Sequence, residues 1–123
     1  MTKWIRVINK GRNIESPPRV QYCETFVSQL RGLTFRTHLS REEGLILVGK
    51  RDSRLDSSIH MLFVAFDLCI FWIDAEMKVV DKVLAKSWRP AYISKVPAKF
   101  ALEVHPDRWN DFEVGDSLEF ILA

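Results

Sequence analysis

The sequence predicts a mainly β domain of α+β character: an antiparallel sheet curled into a small barrel or sandwich, with one or two short helices. Three observations carry that prediction. Residues 58–74, SIHMLFVAFDLCIFWID, are apolar almost throughout, with only His60 and Asp67 breaking the run between Ile59 and Ile73. Short apolar segments recur along the rest of the chain between turn residues, a pattern of small sandwiches and barrels. A helical pattern is strong in only one place, Thr25 to Arg31. At 123 residues, a single domain over residues 1–123 is expected, long enough to bury a core of its own.

The central run is too short, and too interrupted by Asp67, for a membrane-spanning helix. Its Ile, Val, Phe and Trp content favours strands. Two consecutive strand segments are expected, about Ile59 to Val64 and Leu68 to Ile73, joined by a bend at Ala65 to Asp67 and covered on both faces. Asp67 suits a bend whose backbone N–H groups its carboxylate accepts, and His60 suits a neutral core position. Seven residues of straight strand span about 23 Å, so the two meet only if the chain folds back between them.

The flanking elements follow in order. Trp4 to Asn9 alternates, placing Ile5 and Val7 on one side and Trp4, Arg6 and Ile8 on the other. A turn at Lys10-Gly11-Arg12 and the Pro17-Pro18 pair lead to a short strand at Arg19 to Cys23. In the helix candidate, Thr25 caps, Phe26, Leu30 and Leu33 share a face, and Gly32 stops it. Leu45 to Val48 reads as a short buried strand, and Gly49 to Ser57 as a polar loop. Asp74 to Lys78 connects by a hairpin to Val79 to Ala85. Ser87 to Pro97 should cross the surface as a loop. Phe100 to Val104 is a strand with Phe100, Leu102 and Val104 inward, and Glu103 outward if one face is wet. A short helix near Pro106, a turn at Val114-Gly115-Asp116 and a strand at Leu118 to Leu122 close the chain.

A formal net charge of +2 permits contact with a polyanion without demanding it. The first residues, MTKWIRVINKGRN, hold no apolar signal segment, so a cytoplasmic protein with reduced Cys23 and Cys69 is expected. No Cys or His ligand spacing, nucleophile elbow or glycine-rich phosphate loop occurs, so no metal, cofactor or catalytic residue is assigned.

Several fragments resemble, in order, a known prokaryotic family. Gly32-Leu33-Thr34-Phe35-Arg36 is similar to its GLMFR signature, and Gly44 to Val48 to the GMLF that follows. Ile59-His60 with Trp72-Ile73-Asp74 resembles its IH…FLD frame. Val79-Val80, Leu102-Glu103 and Gly115-Asp116 resemble its closing VV, LE and GD pairs. The order and spacing of these pieces, over about Phe26 to Phe120, resemble the domain of unknown function 192 (DUF192). The resemblance implies a compact, mostly β single domain and carries no established biochemical function. The chain departs from the family's centre, HTFGMRFPIDVVFLD. Phe63, Val64 and Ala65 replace the glycine, methionine and basic residue, Asp67 stands at the proline, and Cys69 stands at the acid. Asp67 would restore a carboxylate two residues earlier on the same strand face, displaced by about 7 Å.

Five residues are the candidate ligand- or anion-binding set: Arg36, His60, Trp88, Arg89 and Glu103. A non-enzymatic binding or interaction module is the leading reading, its surface joining Arg36, the Lys50 to Arg54 loop and Trp88-Arg89-Tyr92. One alternative is a small enzyme using His60 as acid or base, with Glu103 or Asp67 orienting it and Arg36 holding an anion. The other is single-stranded nucleic-acid binding by Lys86, Arg89, Lys95 and Lys99 beside Trp88 and Tyr92. The partner is thus an unknown ligand or protein, or a nucleic acid, with no membrane, and the chain is a monomer or homodimer.

Overall fold

Seven strands form one mixed sheet in the computed structural model, which describes residues 3–24, 39–59, 61, 64–89 and 91–123. They are β1 (Lys3–Asn9), β2 (Arg19–Cys23), β3 (Glu43–Ser53), β4 (Leu68–Ile73), β5 (Val79–Ala85), β6 (Ala98–Val104) and β7 (Leu118–Leu122), with a single 3-10 turn at Pro106–Arg108 between the last two. The sheet order is β5-β4-β6-β3-β2-β1-β7. Every neighbouring pair is antiparallel except β2 and β3, which run parallel from Arg19↔Glu43 to Cys23↔Leu47. A purely antiparallel sheet was the expectation. A parallel pair needs a crossover of a dozen or more residues, and residues 24–42 supply that length. The helix pattern at Thr25 to Arg31 falls in that connection and lies outside the described residues.

The strand order does not return on itself, so the sheet is curled but open rather than a closed barrel. Its two edge strands touch at one end only. There an isolated bridge joins Lys78 to Ser117, Leu118 N–H donates to the Met77 carbonyl (2.8 Å), and Val79 N–H donates to that of Asp116 (2.9 Å).

All six β4 residues are buried, because β4 has a strand on each side and a packed layer on each face. On one face Cys69, Phe71 and Ile73 join Ile5, Val7, Val20, Ile46, Leu102, Phe112 and Leu118. On the other, Leu68, Ile70 and Trp72 join Cys23, Leu45 and Ala101 beneath Ile59, Met61 and Val64. The predicted alternation of β1 holds, with Ile5 and Val7 buried and Arg6 exposed. Gly44 is fixed by the approach of β6: a Cβ there would stand 2.3 Å from the Glu103 carbonyl oxygen and 2.8 Å from Val104 Cγ1. Gly115 adopts φ +99° in the turn before β7, backbone that L side chains rarely take up.

Three expectations are corrected. Only the second half of the central run is a strand. Ile59 makes a single antiparallel bridge, to Tyr92, and Met61 and Val64 have no ladder. Residues 59, 61 and 64 lie on the sheet instead of within it: Ile59 and Met61 bond to the backbone of Tyr92, Arg89 and Trp88, and Val64 N–H donates to the Met61 carbonyl. Their apolar character comes from covering a sheet face, which alternation cannot separate from strand membership. Second, the strand at Leu45 to Val48 extends through Gly49 to Ser53, re-pairing Ser53 with Ala98 after a bulge, so the polar loop shrinks to residues 54–57. Third, Glu103 is 2% exposed rather than outward, because β6 lies between β3 and β4 and both its faces are covered.

Candidate functional site

Between β5 and β6 the chain crosses the outer layer as a strap at residues 86–89 and 91–97, as expected of Ser87 to Pro97. The strap is tied down along its length. Asp67, at the bend before β4, accepts from Ser87 N–H (2.9 Å) and Lys86 Nζ (3.4 Å). Ile59 and Tyr92 exchange both backbone bonds (2.9 and 2.6 Å), Met61 N–H donates to the Arg89 carbonyl (2.9 Å), and Trp88 N–H donates to that of Met61 (2.8 Å). Lys95 N–H donates to Asp81 Oδ2 (2.8 Å), and Arg54 Nε donates to the Ser94 carbonyl (2.9 Å), which joins the 54–57 loop to the strap. The Ser87 N–H, then Lys86, hold the Asp67 carboxyl below the usual carboxylate range against its partial burial. Asp67, at the bend before β4, therefore anchors the strap.

The strap presents its side chains from constrained backbone. Trp88 sits at φ +66° and is 56% exposed. A bulky residue in the left-handed region is an outlier that persists where surrounding contacts enforce it, and such strain clusters at functional positions. Arg89 beside it is exposed and has no carboxylate partner among the described residues. Ile93 and Val96 of the strap and Leu55 of the adjoining loop are also exposed. Together these give an aromatic and aliphatic surface edged by cations.

Glu103 occupies a different place. It pairs with Leu45 of β3 and Ile70 of β4, at mid-sheet on the face covered by Ile59, Met61 and Val64. It is not left without an interaction. Cys23 lies on the same face. Burial, and then the Glu103 charge, push its thiol up to about 12; burial does the same for Cys69. Both thiols are free, buried and protonated at neutral pH, so neither is a ready nucleophile.

A polar cleft of about 370 Å³ opens beside Arg108. The guanidinium is 2% exposed; it donates to the carbonyls of Arg41 and Ser16 and to Asp111 Oδ2 (2.8 Å). Glu15, Glu42 and Asp111 share the lining with Arg41, so the Arg108 cation is spent inside the protein and carboxylates outnumber cations around the cleft.

Of the predicted site residues, Arg36 and His60 lie outside the described residues. Trp88 and Arg89 sit together on the strap, which Arg54 joins to the 54–57 loop. Glu103 is separate from their exposed surface, beneath the cover. Sequence reasoning missed the exposed Ile93, Val96 and Leu55 and the Arg54 link. The available signal was that apolar residues in a loop between prolines and cations need not be turned inward.

Comparisons with known proteins place this geometry. Residues 7–120 match DUF192, described as an uncharacterized ACR family. A UPF0127 protein of Thermococcus gammatolerans is 32% identical over 93% of this chain and 74% of its own length. One from Pyrococcus furiosus is 30% identical over 92% of this chain and 94% of its own. Among solved structures, a protein of unknown function from Novosphingobium aromaticivorans shares the fold with a TM-score of 0.79 at 20% identity, over 96% of this chain and 84% of that one. A protein described as a putative transcription regulator from Sinorhizobium meliloti does so with a TM-score of 0.81 at 15% identity, over 98% and 94%. At those identities the likeness concerns fold alone. The match over nearly the whole domain, with the ordered Gly44, Val79-Val80, Leu102-Glu103 and Gly115-Asp116 pieces in place, shows that the chain belongs to the DUF192 family.

Proposed function

We propose that the chain is a binding module that engages its partner through the strap, the adjoining 54–57 loop and the end of β3 before it. The observation that carries this reading is Trp88, a bulky residue held at φ +66° with 56% of its surface exposed. Exposed Trp and Arg side chains are typical interface anchors, and apolar residues gathered on one exposed surface mark interaction sites. Arg89, Ile93 and Val96 complete the surface. Its backbone is fixed in advance, which lowers the ordering cost of binding.

A second reading rests on Glu103. A carboxylate buried among Leu45, Ile70 and Ala101 is costly unless it is paired, and such groups often serve chemistry. In that reading Glu103 orients an acid or base beneath the 59–64 cover.

One experiment tests both: thermal shift of the purified chain against metals, nucleotides, sugars and short oligonucleotides, repeated on Trp88→Ala, Arg89→Ala and Glu103→Gln. A compound that raises Tm in the wild type and in Glu103→Gln, but not in the strap variants, supports the surface reading. A compound whose shift survives both strap variants and disappears in Glu103→Gln sinks it and favours the buried site.

A further inference from the structure

The positive charge of this chain is unevenly placed. Residues 84–99 contain Lys86, Arg89, Lys95 and Lys99 and no Asp or Glu. The end of β3 and the 54–57 loop after it add Lys50, Arg51 and Arg54 against Asp52 and Asp56. These two segments together exceed the net charge of +2 carried by the whole chain, so the remainder is net negative. Three nearby carboxylates are moreover engaged: Asp52 Oδ1 accepts Ala75 N–H (2.8 Å), Asp67 holds Lys86 and Ser87, and Asp81 accepts Lys82 and Lys95 N–H. Lys50, Arg51, Arg89 and Lys95 have no carboxylate partner among the described residues.

Resting on the surface reading above, we propose that the strap and loop bind single-stranded nucleic acid. The Trp88 ring stacks on an unpaired base, and Arg89, Lys95 and the Lys50-Arg51 pair take the flanking phosphates. Three features favour this occupant. Cations spaced along an extended segment track a polymer of phosphates, whereas a single small anion would need them to converge. The Trp88 ring stands on backbone pinned on both sides, by the Ser87 N–H to Asp67 bond and the Met61 carbonyl, which gives the rigid aromatic platform that base stacking uses. A second copy of the chain is disfavoured, because apposing two such surfaces brings like charges together. A duplex keeps its bases paired and offers the ring none. The exposed aliphatic residues Leu55, Ile93 and Val96 are the feature that would suit an anionic lipid surface, so that source is an arm of the test.

The test is fluorescence anisotropy of the intact chain with labelled oligo(U) and oligo(dT) of about 12 nucleotides. It is run beside the matching duplex and beside vesicles of phosphatidylglycerol or phosphatidylcholine. Single strands should bind, with a log–log salt slope of roughly −2 if about three phosphates are contacted. Trp88→Ala should weaken binding roughly 5- to 100-fold with the slope unchanged. Trp88→Gly, which accepts the left-handed backbone and so keeps the fold, should weaken it equally. The Arg89→Ala/Lys95→Ala double variant should flatten the slope by about 1. No single-strand binding at low salt, duplex bound as tightly as single strand, or binding untouched by both Trp88 variants would each overturn the proposal. Trp88-dependent capture by phosphatidylglycerol vesicles, with the oligonucleotides silent, removes nucleic acid while leaving the exposed-surface reading standing. If the Trp88 variants alter neither oligonucleotide binding, vesicle binding nor any thermal-shift hit, both fall.

Discussion

Trp88-Arg89 and Arg108-Trp109 are two neighbouring pairs of the same residue types, and the fold uses them in opposite ways. Arg108 is buried, with acceptors at the Arg41 and Ser16 carbonyls and at Asp111. It thereby ties the segment before β2, the segment before β3 and the 3-10 turn together. Trp109 packs against Phe71 and carries Lys82 Nζ 3.9 Å above its ring. Trp88 and Arg89 are exposed, and their backbone is held by Met61: Trp88 N–H donates to the Met61 carbonyl, and the Arg89 carbonyl accepts from Met61 N–H. The deciding factor is the supply of acceptors. Where the surrounding chain turns carbonyls and a carboxylate inward, a guanidinium becomes a clamp. Where it supplies none, the same group stays available to a partner.

The comparison breaks most visibly at Arg108. Arg108→Ala leaves Asp111 and two carbonyls without their buried donor, and loss of one member of a buried charged pair costs about 3–5 kcal/mol. The urea midpoint should drop accordingly; a loss under about 1 kcal/mol would show that the clamp is ornamental. Lys82 gives a smaller version of the same test. Its ammonium, 11% exposed, donates to the Trp109 carbonyl (3.0 Å), the Phe112 carbonyl (3.3 Å) and Glu113 Oε1 (3.1 Å). Lys82→Met keeps the stem but strands those acceptors, for about 2 kcal/mol. Full stability in that variant would mean water replaces the ammonium.

Much of this was legible beforehand. Alternation located β1, short apolar segments between turn residues located β2, β5 and β7, the proline at 106 located the 3-10 turn, and Leu68 to Ile73 is β4 to the residue. Ile59 to Val64 was misjudged because a segment lying on a sheet face must be as apolar as one inside it. The side of Glu103 was left conditional for a related reason: it depends on β6 being central, and strand order is a long-range property that no local pattern contains. For the site, Trp88 and Arg89 could be singled out by type, but the strain at Trp88 could not. It is imposed by Met61 and Asp67, more than 20 residues upstream. Arg108 went unnoticed because its acceptors lie at residues 16 and 41, and a clamp of that kind leaves no trace in its own neighbourhood.

Asp116 supports the clamped side from behind. Asn9 Nδ2 bridges it to the Asp111 carbonyl (2.8 and 3.0 Å), and Arg12 Nε and Glu113 N–H donate to the same carboxylate. Burial, the largest single influence, pushes its carboxyl up, but these bonds together outweigh it and the net direction is down. A folded-state pKa below the unfolded value of about 3.9 gives stability that is present above pH ~4 and lost as pH falls through the folded value. Asp116→Asn should therefore cost about 1–2 kcal/mol at neutral pH and flatten the acid limb of stability against pH. An unchanged acid limb would place the titrating group elsewhere.

The exposed pair should respond least, and with a sign of its own. Arg89→Ala removes no bond within the described residues, so stability should stay within about 0.5 kcal/mol. Trp88→Gly removes a side chain from backbone at φ +66°, which costs a non-glycine residue roughly 1–2 kcal/mol. Glycine returns part of that gain through the greater freedom of its unfolded chain. The net expectation is a variant at least as stable as the wild type, by up to about 1 kcal/mol, yet impaired in binding. That combination separates a residue kept for a partner from one kept for the fold. If Trp88→Gly instead lowers the urea midpoint as Lys82→Met does, the ring is packing the strap onto Met61, and the contrast between the two tryptophans collapses into one structural role.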